Sequence, residues 1–137
     1  MKQVLRKQSK EQLEFIVAEV DMLIEAGVIT VVPHPTWVAN PVVVPKPVAF
    51  KLRLCIDFTH LNKACPKDPF PLPRIDSIVD STVGCGLLCF LDAFSGYHQI
   101  MMAVEDQEKT AFITLKGCYY YTRMPFGLPR ASAGPQR

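Results

Sequence analysis

The amino-acid sequence predicts an α+β domain with a mixed or antiparallel sheet and helices. Three observations carry that expectation: a helix-period apolar stripe near the N-terminus, short β-branched runs after it, and a hairpin pattern around residue 117. A chain of 137 residues is long enough for one domain with its own core. Apolar residues make up 49% and charged residues 20%, the balance of an ordinary globular protein.

Ser9 followed by Gln12 fits a capping box, in which each side chain satisfies a free backbone N–H. Leu13, Ile16, Val17, Val20, Leu23 and Ile24 then mark one face of a helix over residues 10–26, and Gly27 suits its C-terminal cap. Val28–Val32 reads as a short strand, after which Pro33, Pro35 and Pro41 keep the backbone extended along a sheet edge. Val42–Val44 and Leu52–Phe58 are two further strands. Residues 62–73 hold four prolines and predict an extended loop. Pro73 suits the first position of a short helix, with Ile75, Ile78 and Val79 on its buried side. Leu87–Leu91 is a continuous apolar run, the pattern of a strand buried on both faces, and it delivers Asp92 at its end. Glu105 and Asp106 lie in a polar segment that reads as a turn or helix start. Ala111–Thr114 and Tyr119–Arg123 flank Lys116-Gly117 as a hairpin.

The net charge of +2 identifies no partner, and its weak basic bias lies after residue 40. Five cysteines, an odd number, follow an N-terminus with no apolar leader. That combination predicts reduced thiols in an intracellular compartment, cytoplasmic or nuclear. No apolar run reaches the roughly 18 residues needed to span a bilayer, so no membrane role is expected. Cys85, Cys89 and His98 lack CxxC spacing and two of them lie on an apolar run, which argues against zinc.

Asp92 is the most informative residue read locally. An isolated buried carboxylate is costly, so after LLCFL it should sit at a rim, pair with a cation or bind a metal. The plainer alternative is a turn cap that accepts N–H bonds from Phe94 or Ser95. The small successors Ala93, Ser95 and Gly96 fit both.

FLDAFSGYHQI at 90–100 resembles the first polymerase motif of the reverse transcriptases of gypsy-type, long-terminal-repeat retrotransposons. LRLCIDFTHLNK (52–63) resembles that family's fingers strand and loop, and DPFPLPRID (68–76) the segment that follows. EKTAFIT (108–114) and MPFGL (124–128) resemble its next two motifs, in the same order. EAGVIT and PTWVANPVVV, within 25–44, resemble its fingers entry. The similarity covers about residues 10–130. It implies a polar N-terminal segment over 1–9, then a partial reverse transcriptase domain over 10–137 comprising fingers and the start of the palm.

By this resemblance the intact enzyme performs template-directed nucleotidyl transfer, with an RNA or DNA template-primer and a dNTP as partners and Mg²⁺ as cofactor. Two Mg²⁺ ions about 4 Å apart stabilise the attacking and leaving oxygens of such a reaction. Asp92 would be the catalytic first metal ligand, with the carbonyl of Ala93 or Phe94 completing a shell. Lys46 and Arg53 would bind the nucleotide's phosphates, where a guanidinium's rigid fork suits a triphosphate. Tyr97 would stand beside the incoming sugar, and Phe126 and Gly127 near the nascent base pair. Asn62, Lys63, Arg74 and Gln136 would contact template or primer. Simpler alternatives stand beside several of these: a core aromatic for Tyr97, solvated surface charges for Lys46 and Lys51, a pair with Asp76 for Arg74, and a structural role for Asp57, Asn62 and Lys63.

The chain also departs from the pattern. KPVAFK stands where the family carries Lys-Asn-Gly-Lys, and Pro135 replaces an aromatic near the final motif. Family members place a YxDD hairpin after the MPFGL segment, which supplies the remaining metal-ligand aspartate. These 137 residues contain no Asp-Asp pair, so the expectation is a fragment that is inactive on its own. Two other classes remain open at this point: a non-catalytic nucleic-acid-binding remnant using Arg53, Lys63 and Arg74, and a domesticated interaction module. Salt-dependent binding to a primer–template separates them.

Overall fold

The computed structural model describes residues 3–4, 6–46, 51–65, 74–89 and 95–128. The first helix, α1, spans Lys10–Glu25. Ser9 Oγ accepts from the Gln12 N–H (3.2 Å) and Gln12 Oε1 accepts from the Ser9 N–H (3.0 Å), so the expected capping box forms. Gly27 ends the helix in the left-handed region at φ +66°. Of the apolar stripe, Ile16 and Val20 are buried and Leu23 packs against the core, while Ile24 stays exposed.

Strand β1 (Ile29–Val31) follows, then the antiparallel pair β2 (Pro41–Pro45) and β3 (Leu52–Ile56), with Pro41 opposite Ile56. Pro41 is the first residue of its strand, where a missing N–H is tolerated. Helices α2 (Thr59–Ala64) and α3 (Ile75–Asp80) come next. Helix α4 (Val104–Gln107) begins at the polar segment expected to start one. The hairpin of β4 (Phe112–Thr114) and β5 (Gly117–Tyr121) turns at Gly117, φ +139°. There the Thr114 hydroxyl accepts from the Lys116 N–H and donates to the Gly117 carbonyl.

β1 adds to the other edge of β5, with Ile29 opposite Tyr121, giving an antiparallel sheet in the order β1-β5-β4. The β2–β3 pair forms a separate two-stranded sheet. The two are stitched at Ala39, whose N–H donates to Ala111 O (2.9 Å) and whose carbonyl accepts from Ile113 N–H (3.2 Å). The core lies between α1 and these sheets. Phe112 is fully buried beside Ile16, Val20, Ile29, Tyr119 and Tyr121. The buried Thr110 hydroxyl is satisfied: Oγ1 donates to Gln107 O (2.6 Å) and accepts from the Tyr121 N–H (2.9 Å).

Residues before α1 lie back on this body. Gln3 Oε1 accepts from both the backbone N–H and the side-chain amide of Asn40, and Asn40 Nδ2 also donates to Val4 O (2.7 Å). Asn40 is thereby buried with its amide protons used.

Several expectations need correction. The strand bounds differ from the patterns: Val28 and Val32 fall outside β1 and Asp57 and Phe58 outside β3, β2 is longer by Pro41 and Pro45, and β5 is shifted to start at Gly117 and end before Thr122. The start of the expected loop over 62–73 is helical, because α2 runs on to Ala64. Helix α3 forms, but Ile75, Ile78 and Val79 are all exposed. Leu87–Cys89 form no strand and are exposed, Leu87 by 89%; Phe90 and Leu91 lie outside the described residues. An apolar pattern says which side chains share a face. It does not supply the surface that covers them, and among the described residues nothing covers these.

Candidate nucleotide and nucleic-acid interface

The β2–β3 register builds a row of cations. Val44 pairs with Arg53 and Pro45 with Leu52, and one step further Lys46 donates its N–H to Lys51 O at 2.7 Å. Directly opposed residues, and residues two apart on one strand, project from the same face. Lys46, Lys51 and Arg53 therefore share a face at one end of the pair. All three are exposed, and none makes an ion pair with another described residue. Like charges set opposite each other repel, so this row is unfavourable unless an anion lies against it. Residues 47–50, between the two strands, lie outside the described residues.

Asp57 follows β3 and organises the entry to α2. Its Oδ1 accepts from the Thr59 N–H (3.1 Å) and hydroxyl (2.6 Å), and its Oδ2 accepts from Arg6 (2.6 Å). These Thr59 bonds, with the Arg6 charge adding to them, hold the carboxyl below its ordinary range. Asp57 is thus engaged structurally. Asn62, on α2, donates its side-chain amide to Gly127 O at 2.8 Å. Lys63 is exposed. Arg74 lies 3.4 Å from Asp76 with both side chains more than 80% exposed, a pair of little energetic weight.

A second cluster brings two expected nucleotide-side residues together. Ser95, in the left-handed region at φ +48°, leads into a 3-10 turn over Gly96–Gln99 that carries Tyr97 and His98. Met124 N–H donates to Ile100 O (2.9 Å) and Met102 N–H to Thr122 O (3.0 Å), which aligns this turn with the segment leading to Phe126. Tyr97 and Phe126 then meet edge to face, ring centres 5.0 Å apart, and His98 packs on Phe126 at 5.6 Å. Both Tyr97 and Phe126 remain about half exposed or more, so Tyr97 is not a core aromatic. Burial pushes the His98 imidazole below its ordinary range. Gly127 has φ +89°, a conformation glycine adopts without cost.

Asp92, Ala93, Phe94 and Gln136 lie outside the described residues, as does Pro135. Among the described residues no group of three or more His, Cys, Asp or Glu converges as a metal site. The features that motif reading did not anticipate are the Arg6–Asp57 pair, the Gln3–Asn40 anchor and the packing of His98 on Phe126. The first two join residues far apart in sequence, and no local pattern signals them. The third was available only as the order Tyr97-His98 within a motif.

The described residues thus carry a basic face on the β2–β3 pair and an aromatic pair at Tyr97 and Phe126. A family model described as reverse transcriptase (RNA-dependent DNA polymerase) matches residues 44–136. The chain belongs to that family. It is 38% identical over 132 residues to the retrovirus-related Pol polyprotein from transposon 412 of Drosophila melanogaster, covering 92% of this chain and 10% of the relative. Against the corresponding polyprotein from transposon gypsy of the same fly it is 37% identical over 128 residues, covering 90% of this chain and 12% of the relative. The chain thus spans about a tenth of the length of these relatives. Its fold matches that of the prototype foamy virus protease-reverse transcriptase with a TM-score of 0.78, at 24% identity, over 93% of this chain and 17% of that one. A foamy viral protease-reverse transcriptase solved in complex with double-stranded DNA matches with a TM-score of 0.68, at 20% identity, over 93% of this chain and 21% of that one. The matched residues are thus similar to part of the reverse transcriptase domain of retrotransposon Pol polyproteins.

Proposed function

We propose that residues 10–137 form the fingers and the start of the palm of an RNA-directed DNA polymerase, and that this part binds the incoming nucleotide and the template-primer. The observation that carries the reading is the row Lys46, Lys51 and Arg53, three exposed cations on one face with no acidic partner among the described residues. A triphosphate relieves their repulsion, and Arg53 is suited to grip it bidentately. Tyr97 and Phe126 offer a half-exposed aromatic surface for the sugar and the nascent base pair, with Gly127 permitting close backbone approach. Lys63 and Arg74 are exposed cations for template or primer phosphates, and Gln136 takes a template-facing role by its place in the motif.

The reading carries Mg²⁺ as cofactor, with Asp92 as catalytic ligand beside the carbonyl of Ala93 or Phe94. Mg²⁺ takes hard oxygen donors, which fits an aspartate. One motif carboxylate does not hold two ions, so no catalytic step is assigned to these 137 residues alone. The free cysteines suit a reducing compartment, cytoplasmic or nuclear.

Titrating the purified chain with a deoxynucleoside triphosphate tests the reading. Arg53→Ala should weaken binding about tenfold, the loss of one charge-assisted contact. Lys46→Ala should weaken it less. Equal binding by both variants and the parent would sink the proposal. Adding a YxDD-bearing continuation should give Mg²⁺-dependent primer extension that Asp92→Asn abolishes.

A further inference from the structure

We infer that Asn62 is a positioning residue: its side-chain amide holds the Phe126–Gly127 turn, and through it the Tyr97–Phe126 aromatic pair. This rests on the reading above that the pair faces the nucleotide, and it replaces the template contact that the motif alone suggested.

Asn62 is set rigidly within α2, its backbone N–H donating to Phe58 O at 2.8 Å. Its Nδ2 reaches across 65 positions in sequence to the Gly127 carbonyl, also at 2.8 Å. Its Oδ1 is buried and has no partner among the described residues. The amide orientation follows from this geometry, because a flipped amide would set Oδ1 against the Gly127 carbonyl, acceptor against acceptor. A buried acceptor without a donor is unfavourable, and a leucine of similar size would avoid it. What the amide supplies and leucine lacks is the N–H aimed at Gly127. A buried Oδ1 does not meet template, and one of the two Nδ2 protons is engaged at Gly127.

That bond reaches the turn at its Gly127 carbonyl. The backbone bonds that order the approaching segment end at Met124. Beyond it, among the described residues, Pro125 is fully buried and Leu128 packs against the core, and between them the Asn62–Gly127 bond ties the turn to α2. Phe126 is 59% exposed and keeps its place through ring contacts with Tyr97 and His98. Gly127 sits with Phe58 close by, 4.0 Å from where a Cβ would be, so α2 and the turn are in register at this point.

The experiment is Asn62→Asp in the full chain, read by NMR contacts between the Tyr97 and Phe126 rings. At neutral pH an aspartate accepts and does not donate, so it faces the Gly127 carbonyl with like polarity. The ring–ring contacts should be lost while the circular dichroism of the fold is kept. They should return as the pH falls below about 4, where a protonated carboxyl regains a donor. Contacts unchanged at neutral pH would overturn the inference. If the variant does not fold, the unmodified chain decides: the Asn62 side-chain amide protons should show a contact with Gly127 and slowed exchange, and free, fast-exchanging protons would overturn it. Primer–template affinity is measured in parallel on both chains. A parent that binds no nucleic acid refutes the functional reading and leaves the ring contacts to judge the positioning role. Weaker binding by the variant with intact ring contacts restores the template contact and refutes the positioning role.

Discussion

The β4–β5 hairpin and the stretch from Ile75 to Cys89 are both short and rich in apolar residues, yet they end differently. In the hairpin, Phe112, Tyr119 and Tyr121 are buried under α1 and against one another. In the other stretch, Ile75, Val83 and Leu87 are each more than three-quarters exposed. Both carry side chains spaced to share a face. The hairpin has neighbours on both edges, β1 through hydrogen bonds and Ala39 through its bridge to Phe112, and these bring a covering surface. Helix α3 has no such neighbour among the described residues. Apolar area stabilises only when it leaves water, at about 25 cal/mol per Å². The lesson is that a patterned stretch is half of a contact.

The sharpest way to break this comparison is to truncate one residue from each side. Phe112→Ala should cost about 3–5 kcal/mol in a denaturant melt, because it opens a cavity in a closed core. Leu87→Ala should stay within about 0.5 kcal/mol. A cost at Leu87 similar to that at Phe112 would show that the exposed stretch is in fact covered.

A smaller effect is expected where polar bonds rather than packing join distant segments. Asp57→Ala should cost about 1 kcal/mol by removing the Thr59 bonds and the Arg6 pair. Since the folded Asp57 carboxyl titrates below its ordinary value of 3.8, its contribution is full above that pH. It falls as the pH drops through the lowered value. An acid melt should therefore converge for parent and variant at the lowest pH; a gap that persists there would mean that the effect is packing.

His98 gives the same test on the aromatic cluster. Its imidazole is held below the ordinary 6.5 by burial, so the unfolded chain takes up the proton first. Stability should be full above pH 6.5 and decline as the pH falls toward the folded value. His98→Gln should flatten that part of the profile, and an unchanged profile would clear His98 of the effect.

A small change should also come from Asp21→Asn. Lys116 pairs with Asp21 at 2.6 Å and joins α1 to the hairpin turn, but both side chains are about half exposed. The loss should be below about 1 kcal/mol and should fade with added salt.

Much of the fold was legible in sequence where the controlling interactions are local. Ser9 and Gln12 announce a helix start because they bond each other three residues apart. Lys116-Gly117 announces a hairpin because glycine adopts the positive φ, here +139°, that the turn needs. The candidate site was legible differently: motif resemblance pointed to Arg53, Tyr97 and Phe126 one at a time. Nothing in the order of residues said that Tyr97 would lie on Phe126, or that Asn62 would reach Gly127.

By itself, then, the sequence determined the α+β class, the positions of α1 and the β4–β5 hairpin, and membership of the reverse transcriptase family. Caps, turns and periodic stripes are encoded within a few residues, and motifs are read in order along the chain. Tertiary structure alone decided which apolar faces are covered, that Asp57 serves the fold by bonding Thr59 and Arg6, and that α2 holds the turn at Gly127. The Arg6–Asp57 and Asn62–Gly127 pairs are separated by 51 and 65 positions, and their meeting is set by how the elements pack and not by either partner's neighbours in sequence.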